Sequence, residues 1–291
     1  MIFTVAFADC RVCIDCRGLV AEQIVTFLFP QAVVEKLENS EFVFLLKSVS
    51  QENREALLFY KEDREIFRSD NPGVMAAMVL DAVVSWFAGE CRMGPTLHAA
   101  ALILDDRRGV LLPGKSGSGK STLSAWMTHH GYGYLTDELA CIPNHAQHTL
   151  LGFPRPIHLK DSMADYFGEL LENSPESVDS HGIGRVLKNN RGLLVPAVHL
   201  NSKMRKKVPL KPSVKAIIYP TFQKGAVCQI ELISSAQSFT HMMGIVVNAR
   251  NFEDHAVKSI AQLTREVPSF ALTFGQLEHV MPILASVRHE F

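Results

Sequence analysis

The chain has 291 residues, of which 47% are hydrophobic and 20% charged, and its formal net charge is −1. Such a composition excludes an intrinsically disordered chain and gives no global bias toward nucleic acid or a membrane surface; the length suits one large domain or two. The start "MIFTVAFADCR" has no basic lead, and the apolar run near Val20–Val34 is broken by Glu22, Gln23 and Pro30. Neither a signal peptide nor a membrane span is therefore expected, and the cytoplasm is the expected location.

Residues 1 to about 68 alternate like strands in "FTVAFADCRVCID", "EFVFLLKSVS" and "EALLFYKEDREIF", with a helix-like "PQAVVEKLENS" among them. Alternation puts Cys10 and Cys16 on one strand face with Val12 and Ile14, and Cys13 on the other with Arg11 and Asp15. One face cannot hold all three thiols, and Cys91, Cys141 and Cys228 are lone residues in apolar settings. Buried or idle reduced cysteines are expected rather than a zinc site. Asp70-Asn71-Pro72 then caps a helix that ends near Gly89. Residues 1–90 read as an N-terminal α+β portion for packing or substrate recognition, and residues 91–291 as a second portion that carries the motifs described next.

From Thr96, "TLHAAALIL", "DDRRG" and "VLLP" form two apolar runs joined by a charged turn, which predicts an antiparallel hairpin. Its second strand enters Gly114-Lys115-Ser116-Gly117-Ser118-Gly119-Lys120-Ser121-Thr122, where Gly114, four residues, and Gly119-Lys120-Ser121 fit the phosphate-loop pattern. Glycines at 114, 117 and 119 let the backbone curl so that N–H groups point at a polyphosphate. Lys120 is expected to reach the β- and γ-phosphates of ATP, and the Ser121 hydroxyl to ligate Mg²⁺. The helix "KSTLSAWMTHHG" follows and stops at Gly131, its positive end toward the anion.

The strand in "YGYLTDELACIP" places Asp137 and Glu138 where a metal-organising acid should fall, and "LLGFPRPIHLK" sets Arg155 and Lys160 around two prolines. Residues 160 to 192 read as a long loop. Between Ser180 and Ile230 there are ten Lys or Arg residues and no Asp or Glu, centred on "KMRKKVPLK". That block is either a solvated loop or a basic rim for an anion. The tail returns to helix in "SSAQSFTHMMGIVVNA" and "HAVKSIAQLTREV", then a strand "SFALTF" and a last helix ending near Val287.

His98 before the hairpin, the loop "GKSGSGKST" and the pair Asp137-Glu138 together resemble the core of HPr kinase/phosphorylase and its related proteins, which is similar to the nucleotide-binding part of phosphoenolpyruvate carboxykinase. The stretches "KKVPLKPSVKAIIYP" and "REVPSFALTF" look like the related kinases of lasso-peptide and other peptide-maturation clusters. The resemblance implies an α/β phosphate-loop fold with mixed sheets and an ATP- and Mg²⁺-dependent kinase. Its acceptor would be a serine hydroxyl of a protein or peptide, or else a small hydroxylated molecule; a nucleotide-binding regulator of the same fold is the third reading. A homo-oligomer is compatible with the family. By resemblance Lys120 and Ser121 hold ATP and Mg²⁺, Asp137 accepts the proton of the attacking hydroxyl, Glu138 helps organise metal, and His98 sits near the transferring phosphate. Alternatives stay open: Asp137 as a metal-only acid, His98 as a core histidine, and Arg155 and Lys160 as phosphate clamp or solvated turn.

Overall fold

The alternating residues from Ile2 onward fold as a hairpin, β1 (Ile2–Phe7) and β2 (Cys10–Arg17), around Ala8 with its left-handed backbone (φ 55°). The computed structural model describes residues 1–35, 43–51, 54–105, 107–115, 117–146, 148–160, 186–200 and 211–287. These divide into two units, Met1–Phe87 with Arg155–His199, and Ala88–Pro154 with Leu200–Phe291. Of the residues expected to belong with 91–291, the described ones from Arg155 to Lys160 and from 186 to 199 fall in the first unit.

In the first unit, α1 (Leu19–Leu28) packs on β2 and β4. The helix expected over residues 30–40 is not formed at its start: β3 (Val33–Glu35) pairs there with β1, and residues 36–42 lie outside the described set. Pro30 and the β-branched pair Val33-Val34 favour extended backbone. β4 (Phe44–Gln51), β5 (Arg54–Lys61) and β6 (Arg64–Ser69) complete a six-stranded sheet of order β3-β1-β2-β4-β5-β6, in which only β2 and β4 run parallel. Burial along β2 alternates as expected, with Cys10 and Cys16 inside and Cys13 half-buried.

α2 (Pro72–Glu90) starts where Asn71 Oδ1 accepts the Val74 N–H at 3.0 Å. Among the described residues it is the one helix long and apolar enough to cross a membrane. It buries Met75, Val79, Val83 and Phe87 within the protein, and Phe87 meets the Phe7 ring at 5.7 Å. A three-stranded sheet of β12 (Ile157–Lys160), β14 (Gly192–Val195) and β13 (Leu187–Asn189) also belongs to this unit. The loop expected over 160–192 is corrected at its end: "KNNRG" is the tight turn between β13 and β14, where Asn189 Oδ1 accepts the Arg191 N–H at 2.8 Å. Residues 161–185 lie outside the described set.

The second unit is built on an eight-stranded sheet. β7 (Thr96–Ile103) and β8 (Arg108–Pro113) form the expected antiparallel hairpin, and both are almost wholly buried. On its other edge β8 pairs parallel with β15 (Ser213–Phe222), which pairs parallel with β17 (Ser269–Phe274). β16 (Gln229–Ile233) closes that side. β9 (Gly133–Thr136), β10 (Leu139–Cys141) and β11 (Leu151–Gly152) extend the other.

α3 (Lys120–His129) packs against β7 and β9. α4 (Ser235–Met243) opens with a capping box between Ser234 and Gln237, packs on α5 (Val257–Glu266), and is followed later by α6 (Val280–Val287). Met242, Ile245, Ile260 and Leu263 share one core with Leu97, Ala99 and Ala101. α4 is shorter than the expected "SSAQSFTHMMGIVVNA" helix: it ends in a turn at Gly244, Val246 makes an isolated bridge to Leu97 of β7, and a single 3-10 turn follows at Ala249–Asn251.

Candidate functional site

β8 ends at Pro113 and the chain turns at once into the glycine loop. Gly119 has left-handed backbone (φ 93°) and occupies the N-cap of α3, where no side chain caps the helix. A Cβ at Gly114 would lie 2.7 Å from Ser118 Oγ, so glycine lets the loop fold onto itself. Ser118 Oγ is buried and has no hydrogen-bond partner among the described residues. A buried hydroxyl without a partner is costly, and here it lies beside uncapped helix N–H groups that favour an anion. Ser116 lies outside the described residues.

Lys120, 6% exposed, folds back so that Nζ donates to Gly114 O at 2.5 Å and to Lys115 O at 3.3 Å. Burial pushes its pKa below the ordinary lysine value, and the Glu138 and Asp137 carboxylates oppose that shift. Ser121 Oγ donates to Asp137 Oδ2 at 3.1 Å, and Tyr134 OH donates to Asp137 Oδ1 at 3.0 Å. Asp137, 3% exposed, stands in the turn between β9 and β10, and Tyr134 is buried in β9.

Glu138 is placed differently. Its side chain is partly exposed, and Oε1 lies 3.1 Å from Nε2 of His98, which is also partly exposed. β10 pairs with β7 so that Leu139 faces His98 in register, and Ala99 N donates to Glu138 O at 3.2 Å. The sheet register therefore sets the His98–Glu138 pair. His98 is not a core histidine.

The structure thus brings together Lys120, Ser121, Asp137, Glu138 and His98 around the loop. Arg155 and Lys160 fold in the first unit. Arg155 is 6% exposed and its Nε donates to Pro156 O at 3.3 Å, which removes the solvated-turn reading; Lys160 is exposed at the end of β12. Lys203, Arg205, Lys206 and Lys207 of the basic block lie outside the described residues. Sequence reasoning missed Tyr134, which holds the second oxygen of Asp137 from three residues upstream. Its signal was a polar-tipped aromatic in a strand otherwise buried throughout.

No protein-family model matches the chain, and no curated protein matches it. Among solved structures it is similar to the HPr(Ser) kinase/phosphatase from Coxiella burnetii, with 15% identity, coverage of 67% of this chain and 97% of that one, and a TM-score of 0.31. A likeness this distant carries no functional assignment.

Proposed function

We propose that the chain is an ATP-dependent phosphotransferase acting on a hydroxyl group, with a serine of a protein or peptide as the first candidate acceptor and a small hydroxylated molecule as the second. The observation that carries this reading is the 3.1 Å contact between Ser121 Oγ and Asp137 Oδ2, which joins the loop to an acid 16 residues away. Phosphate loops hold Mg²⁺ between such a hydroxyl and such a carboxylate. The orphaned Ser118 hydroxyl and the uncapped helix end fit a polyphosphate in the same place.

Geometry divides the acids. Asp137 is buried and accepts hydroxyl donors on both oxygens, which suits a fixed metal ligand rather than a base that must meet an acceptor. Glu138 is partly exposed beside His98, which suits taking the acceptor's proton as charge leaves the γ-phosphate. We therefore assign metal holding to Ser121 and Asp137 and acid–base work to Glu138 with His98, the reverse of the roles the resemblance implied for the two acids. Bound Mg²⁺ would supply charge neutralisation at the phosphate oxygens. Lys120 would turn from its loop carbonyls to the phosphates, positioning them for in-line attack. The partly exposed His98–Glu138 pair supports transfer over a nucleotide-binding regulator.

Calorimetry with ATP and Mg²⁺ tests the reading. The protein is expected to bind, and Lys120→Ala to weaken binding by about tenfold or more, as for loss of a charge-assisted contact. Absence of binding, or equal binding in Lys120→Ala, overturns it.

A further inference from the structure

β8, β15 and β17 run parallel and adjacent, so their carboxyl ends open on the same edge of the sheet, where ligands of parallel sheets collect. β8 ends in the glycine loop, β15 ends at Phe222 and β17 at Phe274. Both side chains meet the loop's turn, Phe274 through its ring and Phe222 through its Cβ: a Cβ at Gly119 would lie 3.0 Å from Phe274 Cζ and 3.2 Å from Phe222 Cβ. Phe222 N also donates to Ser118 O at 3.1 Å, which locks the end of β15 to the loop. The rings meet edge to face with centroids 5.7 Å apart. Phe274 is 1% exposed and Phe222 is 49% exposed, so the first braces the second and the second presents its ring to solvent.

We propose that Phe222 is the platform on which the base of the bound nucleotide stacks. This rests on the phosphotransferase reading, since the loop must hold the phosphates for the base to reach the ring. The occupant follows from continuity: the Phe222 backbone N–H donates to Ser118 O of the loop, which holds the residue beside the phosphate site, and a nucleotide carries its π-face one ribose away from its phosphates. Base selectivity should be weak. In the turn after Phe222 the Gln223 N–H is already committed to Phe274 O and the Ala226 N–H to Gln223 O, so these donors are not available to read the edge of a base. Stacking alone accepts any base, because every base has a π-face.

The test is calorimetry in Mg²⁺ with ATP, GTP and inorganic triphosphate, on the intact chain and on Phe222→Ala, Phe222→Leu and Phe222→Trp. The leucine variant keeps apolar bulk against Gly119 and loses the π-face. Alanine and leucine are expected to weaken ATP and GTP by about 10- to 100-fold, tryptophan to preserve both, and triphosphate to bind all four proteins within about twofold. ATP and GTP should differ by less than about tenfold in the intact chain. Unchanged ATP affinity in Phe222→Leu, with triphosphate still bound, overturns the platform and leaves the phosphate site standing. Equal losses of ATP and triphosphate also overturn it, since the ring would then serve the loop's shape. An intact chain that binds no triphosphate overturns the phosphate site and the platform together.

Discussion

The two units use burial for opposite ends. The six-stranded sheet of the first unit is antiparallel but for one pair, its strands joined largely by tight turns, and the thiol it buries deepest, Cys16, packs among apolar neighbours of the core. The sheet of the second unit has a parallel middle, and there the buried ionisable groups Lys120 and Asp137 gather where β8 ends and between β9 and β10. Hairpins return the chain along the sheet and tie up its polar groups locally. Parallel strands leave their ends open to loops, and chemistry collects in those loops. Burial of an ionisable group is thus uninformative alone; burial at a strand end, beside unsatisfied donors, is the signal.

The comparison sharpens most at the neighbouring acids, which differ in exposure though adjacent in sequence. Glu138→Gln is expected to lower single-turnover transfer by about 10²-fold or more while nucleotide affinity holds, the scale of losing a general base. Asp137→Asn should lower both turnover and metal–nucleotide affinity, and raised Mg²⁺ should restore part of the rate. Rapid-quench measurements at several Mg²⁺ concentrations separate the two. Full transfer in Glu138→Gln, with loss in Asp137→Asn that Mg²⁺ leaves untouched, returns the base to Asp137.

The loop, its helix and the hairpin before it were legible because each is local: glycine spacing, a turn of charged residues and a helical apolar face lie within about forty residues. Asp137 and Glu138 were legible as a pair, but not which was buried, since that depends on Tyr134 and on the register of β10 against β7. The helix expected at Pro30 failed because pairing with β1 decided the fate of Val33 and Val34. Phe274 was expected only as the end of the strand "SFALTF" and Phe222 carried no signal, and the parallel pairing of β15 and β17 sets them against Gly119.

Asn248 marks the same limit from the side of stability. Its carboxamide accepts from Thr96 N at 2.8 Å and donates to Cys91 O at 2.9 Å and Gly94 O at 3.0 Å, partners more than 150 residues away. Asn251 also donates to Cys91 O, at 2.8 Å, so that carbonyl keeps a partner when Asn248 is removed, while the Thr96 N–H loses its own. Asn248→Ala should destabilise the second unit by about 2 kcal/mol, the cost of leaving a buried donor unsatisfied. Denaturant unfolding reports it, and a loss under about 0.5 kcal/mol would show that water replaces the carboxamide.

The smallest expected effect sets Cys16 directly against Lys120. Burial raises the Cys16 thiol well above its ordinary value of 9.0, so the unfolded chain releases that proton first. The stability it contributes is complete below about pH 9 and declines as pH rises further. Lys120 runs the other way. Its folded pKa lies below the ordinary 10.5, so the unfolded chain holds the proton longer, and the contribution present above that value is lost as pH falls toward the folded pKa. Lys120 therefore gives an upward slope from its lowered folded pKa up to about 10.5, and above about 9 Cys16 gives a downward one. Unfolding free energies of Lys120→Met and Cys16→Val, each compared with the intact chain across pH 7 to 10, should diverge from it in opposite directions. Replacing Lys120 should help stability most at pH 7 and less as pH rises, while replacing Cys16 should matter only on the alkaline side. If both differences stayed flat with pH, neither burial would act on the folding equilibrium. A slope for Cys16 alone would mean that Lys120, while folded back on its loop carbonyls, keeps the charge it needs for phosphate at no cost to the fold.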